Sequence, residues 1–291
     1  MNKIEVPCPI CDCPPERQYY KVLYPDTLGS SPVTFGYDSS ASQMKSFRIV
    51  KCNICNHGFS SPIYENLYEN YIDVEDKYYL KTAEVRKKTA QKVLHKIHKY
   101  KQHGSLLDFG CSTGEFLEES KKYFDSEGVE LSNWAREHCI RKNIDVYNAL
   151  PEKKYDIITM FGVVEHLEDP KSTLKEIYEH LNSDGIVVIW TGNLDSYVSK
   201  ALGSKWYYIQ GQHIQYFTDF SLSKLMGKVG FERKYSGIYP YVMNLGYIGK
   251  SIERYPILNI LGNILKSNFI KDIELTLLIP CEMFVIYKKI N

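Results

Sequence analysis

A glycine-containing turn and an acidic residue in segment 104–131 have the spacing of a site for a nucleotide-like ligand. The turn at 110–114 begins and ends with glycine and follows the apolar residues Leu106, Leu107 and Phe109. Glu130 stands at the end of the next apolar strand, about 20 residues further on, where an acid accepts hydrogen bonds from ribose hydroxyls. Glycine lets a ligand lie against bare backbone. We therefore predict a cofactor site between this turn and Glu130.

Four cysteines form two C-x-x-C pairs, Cys8 with Cys11 and Cys52 with Cys55. Two thiolates at this spacing can share one metal ion, and four complete a tetrahedral site, so the pairs predict a structural zinc ion. Cys13 and His57 are weaker substitute ligands, because the four better-spaced cysteines already saturate the metal. A disulfide framework is the alternative. Residues 1–10 contain no apolar signal core, which favours zinc and a cytoplasmic location.

The pattern of apolar residues indicates which elements must position these groups. Phe35, Tyr37, Phe47, Ile49 and Val50 alternate as in strands, which predicts a small zinc-ribbon-like domain over residues 1–65. Residues 66–103 are expected to form a linker helix region. Residues 104–291 alternate between strands and helices and predict an α/β domain, with a mostly helical insertion at 239–270.

Two longer stretches resemble one protein family. The segment DFGCSTG at 108–114 resembles the first motif of class I S-adenosylmethionine-dependent methyltransferases, with serine at the middle glycine, and EHLEDP at 165–170 resembles a later one. The resemblance covers about residues 75–238. It implies an α/β fold with a Rossmann-like, seven-stranded methyltransferase sheet, whose last strand is antiparallel, behind the small zinc domain. It also implies S-adenosylmethionine as the cofactor.

The family resemblance assigns roles to particular residues of the predicted cofactor site. It implies that the turn and the Asp108 side chain hold the methionine end, that Glu130 binds the ribose, and that residues 148–150 flank the adenine. Aromatic residues crowd the junction at 64–79 and suit a pocket wall. The full predicted set of cofactor-binding residues is Asp108, Gly110, Ser112, Gly114, Glu130, Leu131, Asn148, Ala149, Leu150, Phe161, Glu165 and Tyr79.

Two histidines are candidates for a general base, because neutral imidazole accepts protons near pH 7. His166 follows a buried strand, and the resemblance implies a position near the methionine moiety; a structural role at the corner of the loop is the alternative. His213 lies in the segment GQHIQYFT at 211–218, which resembles the acceptor wall of sugar-modifying family members. Gln212 stands where glutamate is common in that segment. His213 is the preferred base.

Composition limits the partners of the chain. Lysine and arginine total 36, aspartate and glutamate total 35, and the net charge is +1, which argues against nucleic-acid binding. No apolar run approaches the length that spans a membrane. The insertion at 239–270 predicts either an acceptor-pocket wall or the surface of a homodimer. Docking to a membrane surface is less favoured because its basic face is thin.

These patterns together favour an S-adenosylmethionine-dependent methyltransferase that acts on a small acceptor. The resemblance favours O-methylation of a saccharide, nucleotide-sugar or related metabolite, because the long carboxyl-terminal domain of sugar C-methyltransferases is missing. A sugar C-methyltransferase is the first alternative. A non-catalytic zinc-ribbon binding or scaffold protein is the alternative from another class.

Overall fold

The computed structural model describes residues 2–16, 19–30, 33, 45–253 and 255–290, with the side chains of Asn70 and Tyr78 excepted. Phe35 and Tyr37, which the sequence places in strands, lie outside these residues. The described strands are β1 (Lys3–Ile4), β2 (Tyr20–Tyr24), β3 (Ile49–Cys52), β4 (Gly58–Ser60), β5 (Ile63–Tyr64), β6 (Ser105–Phe109), β7 (Asp125–Val129), β8 (Val146–Tyr147), β9 (Tyr155–Phe161), β10 (Leu181–Gly192), β11 (Gln215–Tyr216), β12 (Phe231–Gly237), β13 (Pro240–Asn244), β14 (Glu274–Leu278) and β15 (Glu282–Lys289).

The α-helices follow in the same chain order. They are α1 (Lys77–Leu80), α2 (Ala83–Ile97), α3 (Glu115–Ser120), α4 (Asn133–Arg141), α5 (Pro170–Glu179), α6 (Tyr197–Leu202), α7 (Asp219–Val229), α8 (Leu245–Ile252) and α9 (Asn259–Leu265). Short 3-10 helices occupy Glu69–Asp73, Val164–His166, Gly203–Lys205 and Pro256–Leu258. Within the described residues, no helix is long and apolar enough to cross a membrane.

The central sheet has seven strands in the order β12-β15-β10-β9-β6-β7-β8. Strands β6 to β10 run parallel to their neighbours, whereas β15 is antiparallel to both β10 and β12. The seven-stranded sheet and its antiparallel strand are therefore confirmed. Parallel strands place their carboxyl ends at one edge, so the segments after β6, β7, β9 and β10 meet there.

Helices cover both faces of this sheet. One core contains Leu174 of α5 and Leu225 of α7 on the face of Leu107, and the opposite core contains residues of α2, α3 and α4 on the face of Leu106. The region expected to link two domains thus includes α2, whose Val93 and Ile97 are fully buried in the second core.

The amino-terminal residues build a smaller antiparallel sheet in the order β11-β4-β3-β2. Its edge strand β11 comes from residues 215–216, more than 150 residues away from β4 in the chain. His57 lies at the same junction, where Nε2 and the Gln215 amide oxygen are 2.9 Å apart. The small sheet therefore includes a strand from the predicted acceptor segment.

Most of segment 239–270 is helical within the described residues, but it begins with a strand. Its first strand, β13, pairs with β14, and helices begin at Leu245. Residues 273–287 contribute to two different sheets, because β14 pairs with β13 while β15 enters the central sheet. The apolar run of this segment does not distinguish a short strand from a helix.

Candidate functional site

Three residues of the glycine turn between β6 and α3 have a positive φ. Gly110 and Gly114 have φ values of 83° and 84°, and Ser112 has a φ of 47°. A left-handed conformation costs a serine roughly 1 to 2 kcal/mol, which explains why glycine suits this position in the resembling family. Amide groups of Gly110 and Cys111 donate to the Val129 carbonyl oxygen at 2.8 and 3.1 Å. The turn is therefore fixed against the end of β7.

Glu130 connects this turn to the next helix. Its buried carboxylate accepts hydrogen bonds from the backbone N–H of Ser112 at 2.9 Å and of Ser132 at 2.8 Å. Burial raises the pKa of Glu130, while these backbone donors act in the opposite direction. A carboxylate has lone pairs beyond the two used here. Glu130 is thus positioned beside the turn, as the sequence predicts, and can accept further hydrogen bonds.

Asp108 lies under the turn, near the end of β6. Its side chain is buried, and the Thr159 hydroxyl donates to Oδ1 at 2.6 Å. Burial raises the pKa of Asp108 to about 7, and the nearby charge of Glu130 adds to the effect. Two acids that share a buried edge of the sheet can receive hydroxyl or ammonium groups of a ligand.

Three tyrosines of segment 68–79 lie along this edge. Tyr79 is hydrogen-bonded to the Ser112 side chain, and the Arg86 guanidinium carbon lies 3.3 Å from the centre of its ring. Tyr71 interacts electrostatically with Glu130, and the Tyr68 hydroxyl donates to the Gln212 carbonyl oxygen at 2.5 Å. The tyrosines therefore extend from the glycine turn to the segment that contains His213.

The other predicted cofactor residues flank the same turn. The Glu130 amide donates to the Tyr147 carbonyl oxygen at 2.9 Å, so the segment of Asn148, Ala149 and Leu150 leaves the sheet next to Glu130. Asn148 and Ala149 are exposed, Leu150 is half-buried, and Leu131 is 49% exposed. Phe161 is half-buried at the end of β9 and contacts Phe116, with ring centroids 5.0 Å apart.

Glu165, His166 and His213 form one cluster at the carboxyl end of β9. One ligand atom of each lies within 4.8 Å of the others, and the centroids of the two imidazole rings are 4.7 Å apart. His166 Nδ1 lies 2.9 Å from the Gln212 carbonyl oxygen, and His213 Nδ1 lies 2.8 Å from that of Tyr208. The sequence predicts that His166 lies near the methionine moiety and His213 at the acceptor wall, and the structure brings both side chains into one cluster.

Burial determines the charge of this cluster. It lowers the pKa of His166 to about 4 and holds the pKa of His213 well below its usual value, with the nearby His166 adding to the second effect. It also raises the pKa of Glu165 to about 7. The Tyr208 and Thr191 hydroxyls donate to the Glu165 carboxylate, the second at 3.0 Å. Both imidazoles are therefore neutral at pH 7.

Glu282, a buried glutamate that interacts with this cluster, is absent from the sequence-based prediction. It accepts from Trp190 Nε1 at 2.8 Å and from the Tyr207 hydroxyl at 2.5 Å, and interacts electrostatically with Glu165. Burial raises the pKa of Glu282 to about 7. The sequence feature that could have indicated Glu282 is its place as a single acid at the start of the apolar strand β15. Tyr208 had no such signal, because only the tertiary fold brings it to Glu165.

The four paired cysteines form a second cluster, in the amino-terminal region. Cys8 and Cys55 sulfur atoms are 3.4 Å apart, those of Cys11 and Cys52 are 3.6 Å apart, and all four lie within 4.8 Å of one another. Three of these side chains are buried and Cys11 is half-buried. Neither Cys13 nor His57 belongs to this group. Four thiols at these distances can hold one metal ion.

Part of the chain is similar in sequence to known proteins. The chain is 27% identical to malonyl-[acyl-carrier protein] O-methyltransferase 1 of Ilyobacter polytropus over 130 residues, 40% of this chain and 48% of that protein. The corresponding protein of Bacillus anthracis is 25% identical over 144 residues, 44% of this chain and 54% of that protein. The chain thus spans about half the length of the curated relatives it matches.

Two solved structures are among the proteins to which the chain is similar. An S-adenosylmethionine-dependent methyltransferase of Thermotoga maritima, described as a possible histamine N-methyltransferase, has a TM-score of 0.49 and 18% identity and covers 74% of this chain and 95% of its own. Another, from Archaeoglobus fulgidus, has a TM-score of 0.49 and 22% identity, covering 74% and 100%.

A family model adds the decisive observation. The model described as methyltransferase domain matches residues 82–234, which is more than half of the 291 residues. The matched range begins just before α2 and ends within β12, so it contains the glycine turn, Glu130 and the cluster of Glu165, His166 and His213. The chain therefore belongs to the family of methyltransferase domains.

Proposed function

We propose that this protein transfers the methyl group of S-adenosylmethionine to a hydroxyl group of a small acceptor. The acceptor class that we favour is a saccharide, nucleotide-sugar or related metabolite. The observation that carries this proposal is the cluster of Glu165, His166 and His213, which lies at the same edge of the sheet as Asp108, Glu130 and the glycine turn. One site would thus contain both cofactor-binding and proton-accepting groups.

The hydrogen-bonding groups of this site fit S-adenosylmethionine. Glu130 would accept hydrogen bonds from the ribose, and Asp108 with the turn at 110–114 would hold the methionine portion. Tyr71 and Tyr79 would lie over the bound cofactor, since each already interacts with an acid or a serine of the turn region. When bound, the cofactor supplies an electrophilic methyl group, and the protein contributes alignment.

We propose that His213 is the general base that accepts the proton of the acceptor hydroxyl. The backbone carbonyl of Tyr208 accepts from the Nδ1–H of this ring, which leaves the lone pair on Nε2, where the Gln210 side-chain amide nitrogen lies at 3.0 Å and would give way to the acceptor hydroxyl. The low pKa of His213 keeps the ring neutral at pH 7, as a proton acceptor must be. His166, held in the same way by Gln212, packs against it and fixes its orientation.

One observation supports an oxygen atom as the acceptor, and a second argues against a carboxylate. The curated relatives are named as O-methyltransferases. A carboxylate acceptor would lie near Glu165 and Glu282 here, and like charges in a buried site repel. Neutral hydroxyl groups would instead find hydrogen-bonding partners in these glutamates and the tyrosines around them. A sugar C-methyltransferase remains the alternative.

We also propose that Cys8, Cys11, Cys52 and Cys55 bind one structural zinc ion. Four cysteine ligands make a closed tetrahedral site that leaves no open position for catalysis. The burial of three of the four side chains supports a structural role.

Titration calorimetry with S-adenosylmethionine, followed by mass spectrometry of candidate acceptors, tests this function. We expect cofactor binding and transfer of one methyl group to a sugar hydroxyl. A protein that does not bind the cofactor would instead be a zinc-containing scaffold. Methylation at carbon would identify the C-methyltransferase alternative.

A further inference from the structure

Residues 240–278 form an arm with two antiparallel legs. The inner leg is β13 followed by α8, and the outer leg runs from residue 256 through α9 to β14. Backbone bonds from Leu245 N to Ile273 O at 2.9 Å and from Gly246 N to Lys271 O at 2.8 Å join the legs where strands become helices. A Cβ at Gly249 would lie 2.7 Å from the Gly262 carbonyl oxygen, so α8 and α9 cross closely. The arm is therefore one packed unit.

The two legs differ in their surroundings. The inner leg packs on the body of the protein: the Val242 amide donates to the Thr89 hydroxyl of α2 at 2.9 Å, and no residue from 240 to 252 is exposed. The outer leg presents eight large apolar residues with exposures of 43% to 96%. They are Ile257, Ile260, Leu261, Ile264, Phe269, Ile273, Leu275 and Leu278.

The exposed apolar area of the outer leg is large for a monomer. If each fully exposed residue offers on the order of 150 to 200 Å², the lower part of the range for aromatic side chains, the eight exposures sum to roughly 800 to 1,000 Å² of residue surface. The largest apolar patch of a typical monomer measures about 300 to 600 Å². A stable protein interface buries about 800 Å² on each partner. The outer leg alone supplies the area that a stable dimer needs.

Strand β14 adds an open sheet edge to this surface. Among the described residues, β14 pairs only with β13, and four of its five residues are exposed. Glu274 is the one charged residue of this strand, and it forms an ion pair with Lys88 at 2.6 Å. Native proteins usually block such edges with charges, proline or a covering element. An open edge with leucines at 275 and 278 therefore suits pairing with another strand.

We propose that the outer leg binds the outer leg of a second copy of this chain, with β14 pairing antiparallel to its copy. Antiparallel self-pairing is isologous, because each copy gives the same edge and receives the same edge. The exposed helical residues of α9 would then be covered by their counterparts. The result is a closed dimer in which β13 and β14 of both copies form one four-stranded sheet.

The chemistry of the surface favours a protein partner over a lipid bilayer. Free N–H and C=O groups at a sheet edge need hydrogen-bonding partners, which hydrocarbon does not supply. The charges of the outer leg also balance, with Lys266 and Lys271 against Asp272 and Glu274, and Lys266 is paired with Glu253. Anionic membranes attract surfaces with an excess of basic residues. A self-associating surface needs no such excess.

Sedimentation velocity across a wide range of protein concentration tests the proposal. The intact chain should sediment as a species of twice 33.8 kDa. The double variant Leu275→Lys, Leu278→Lys places like charges in the interface and should weaken self-association by roughly a hundredfold or more. The milder pair Leu275→Thr, Leu278→Thr, which retains strand propensity, should weaken it less. The control Tyr197→Glu changes an apolar residue that is 94% exposed outside the arm and should leave the dimer intact.

Folding of each variant is checked by circular dichroism and by binding of S-adenosylmethionine, which the arm variants should retain. A chain that stays monomeric at every concentration overturns the proposal. So does a dimer that all the arm variants preserve. Sedimentation of the chain with anionic vesicles in the absence of self-association would identify a membrane surface as the true partner.

Discussion

The imidazole rings of His166 and His213 pack against each other with their centroids 4.7 Å apart and their planes at 73°. Each ring is held by a different backbone carbonyl, so their shared position does not make them equivalent. His213 is 6% exposed, and His166 is half-buried and contacts Tyr68. This arrangement makes the roles of the two rings experimentally separable.

His213→Ala should lower turnover by roughly 10² to 10⁴ while leaving cofactor affinity nearly unchanged, because a lost general base affects the chemical step. His166→Ala should lower turnover and cofactor affinity together, since His166 also contacts the tyrosine segment that would cover the cofactor. Single-turnover rates and calorimetry measure the two effects. Near-normal turnover of His213→Ala beside an inactive His166→Ala would reverse the assignment. If neither variant matters, methyl transfer proceeds by proximity alone.

Glu130→Ala should weaken binding of S-adenosylmethionine and of S-adenosylhomocysteine to the same extent. The lost charge-assisted hydrogen bonds to the ribose are worth about 1.5 to 3 kcal/mol, or roughly tenfold to a hundredfold in affinity. Release of the Ser112 and Ser132 amides adds to the loss. Glu137→Gln, at an exposed glutamate on α4, is the matched control. Unchanged affinity of Glu130→Ala would place the ribose elsewhere.

The purified chain should contain one zinc ion, measurable by elemental mass spectrometry. Cys11→Ser, which removes the most accessible of the four thiols, should lose this metal or bind it much more weakly. Cys13→Ser is the matched control, because Cys13 is buried nearby but lies outside the four-thiol group. Metal-free protein with all four cysteines reduced contradicts the assignment.

The stability of the protein should depend on pH through its buried acids. The folded-state pKa of Glu282 is about 7, above the value of about 4.3 for an unfolded chain. Its contribution to stability is therefore complete below about pH 4 and is lost as the pH rises through 7, by at most about 1.4 kcal/mol per pH unit. Glu282→Gln should flatten this decline in urea unfolding experiments, whereas Glu152→Gln at an exposed site should not. An identical pH profile in both variants would mean that Glu282 stays charged in the fold.

Short-range patterns in the sequence predict the fold around the proposed cofactor site, because the glycine turn and Glu130 belong to one strand-turn-helix-strand unit. The paired cysteines are predictable for the same reason. Contacts between distant segments are harder to predict from the sequence. Glu282 and Tyr208 reach the site only through the antiparallel strand β15 and the loop before β11. Helix boundaries also depend on caps: α5 begins at Pro170, where the Asp169 side chain accepts from the Ser172 amide. Propensity alone does not fix such details.

The two-residue strand β11 has a consequence for how the protein can be divided. It begins two residues after His213 and forms the edge of the amino-terminal sheet against β4. A shortened chain that starts after residue 65 would therefore leave Gln215 and Tyr216 without their backbone partners and would expose the tyrosine ring, now fully buried. The cysteine-bearing region thus serves as part of the scaffold that holds the proposed base. Removal of the proposed zinc ion should therefore slow the proposed methyl transfer.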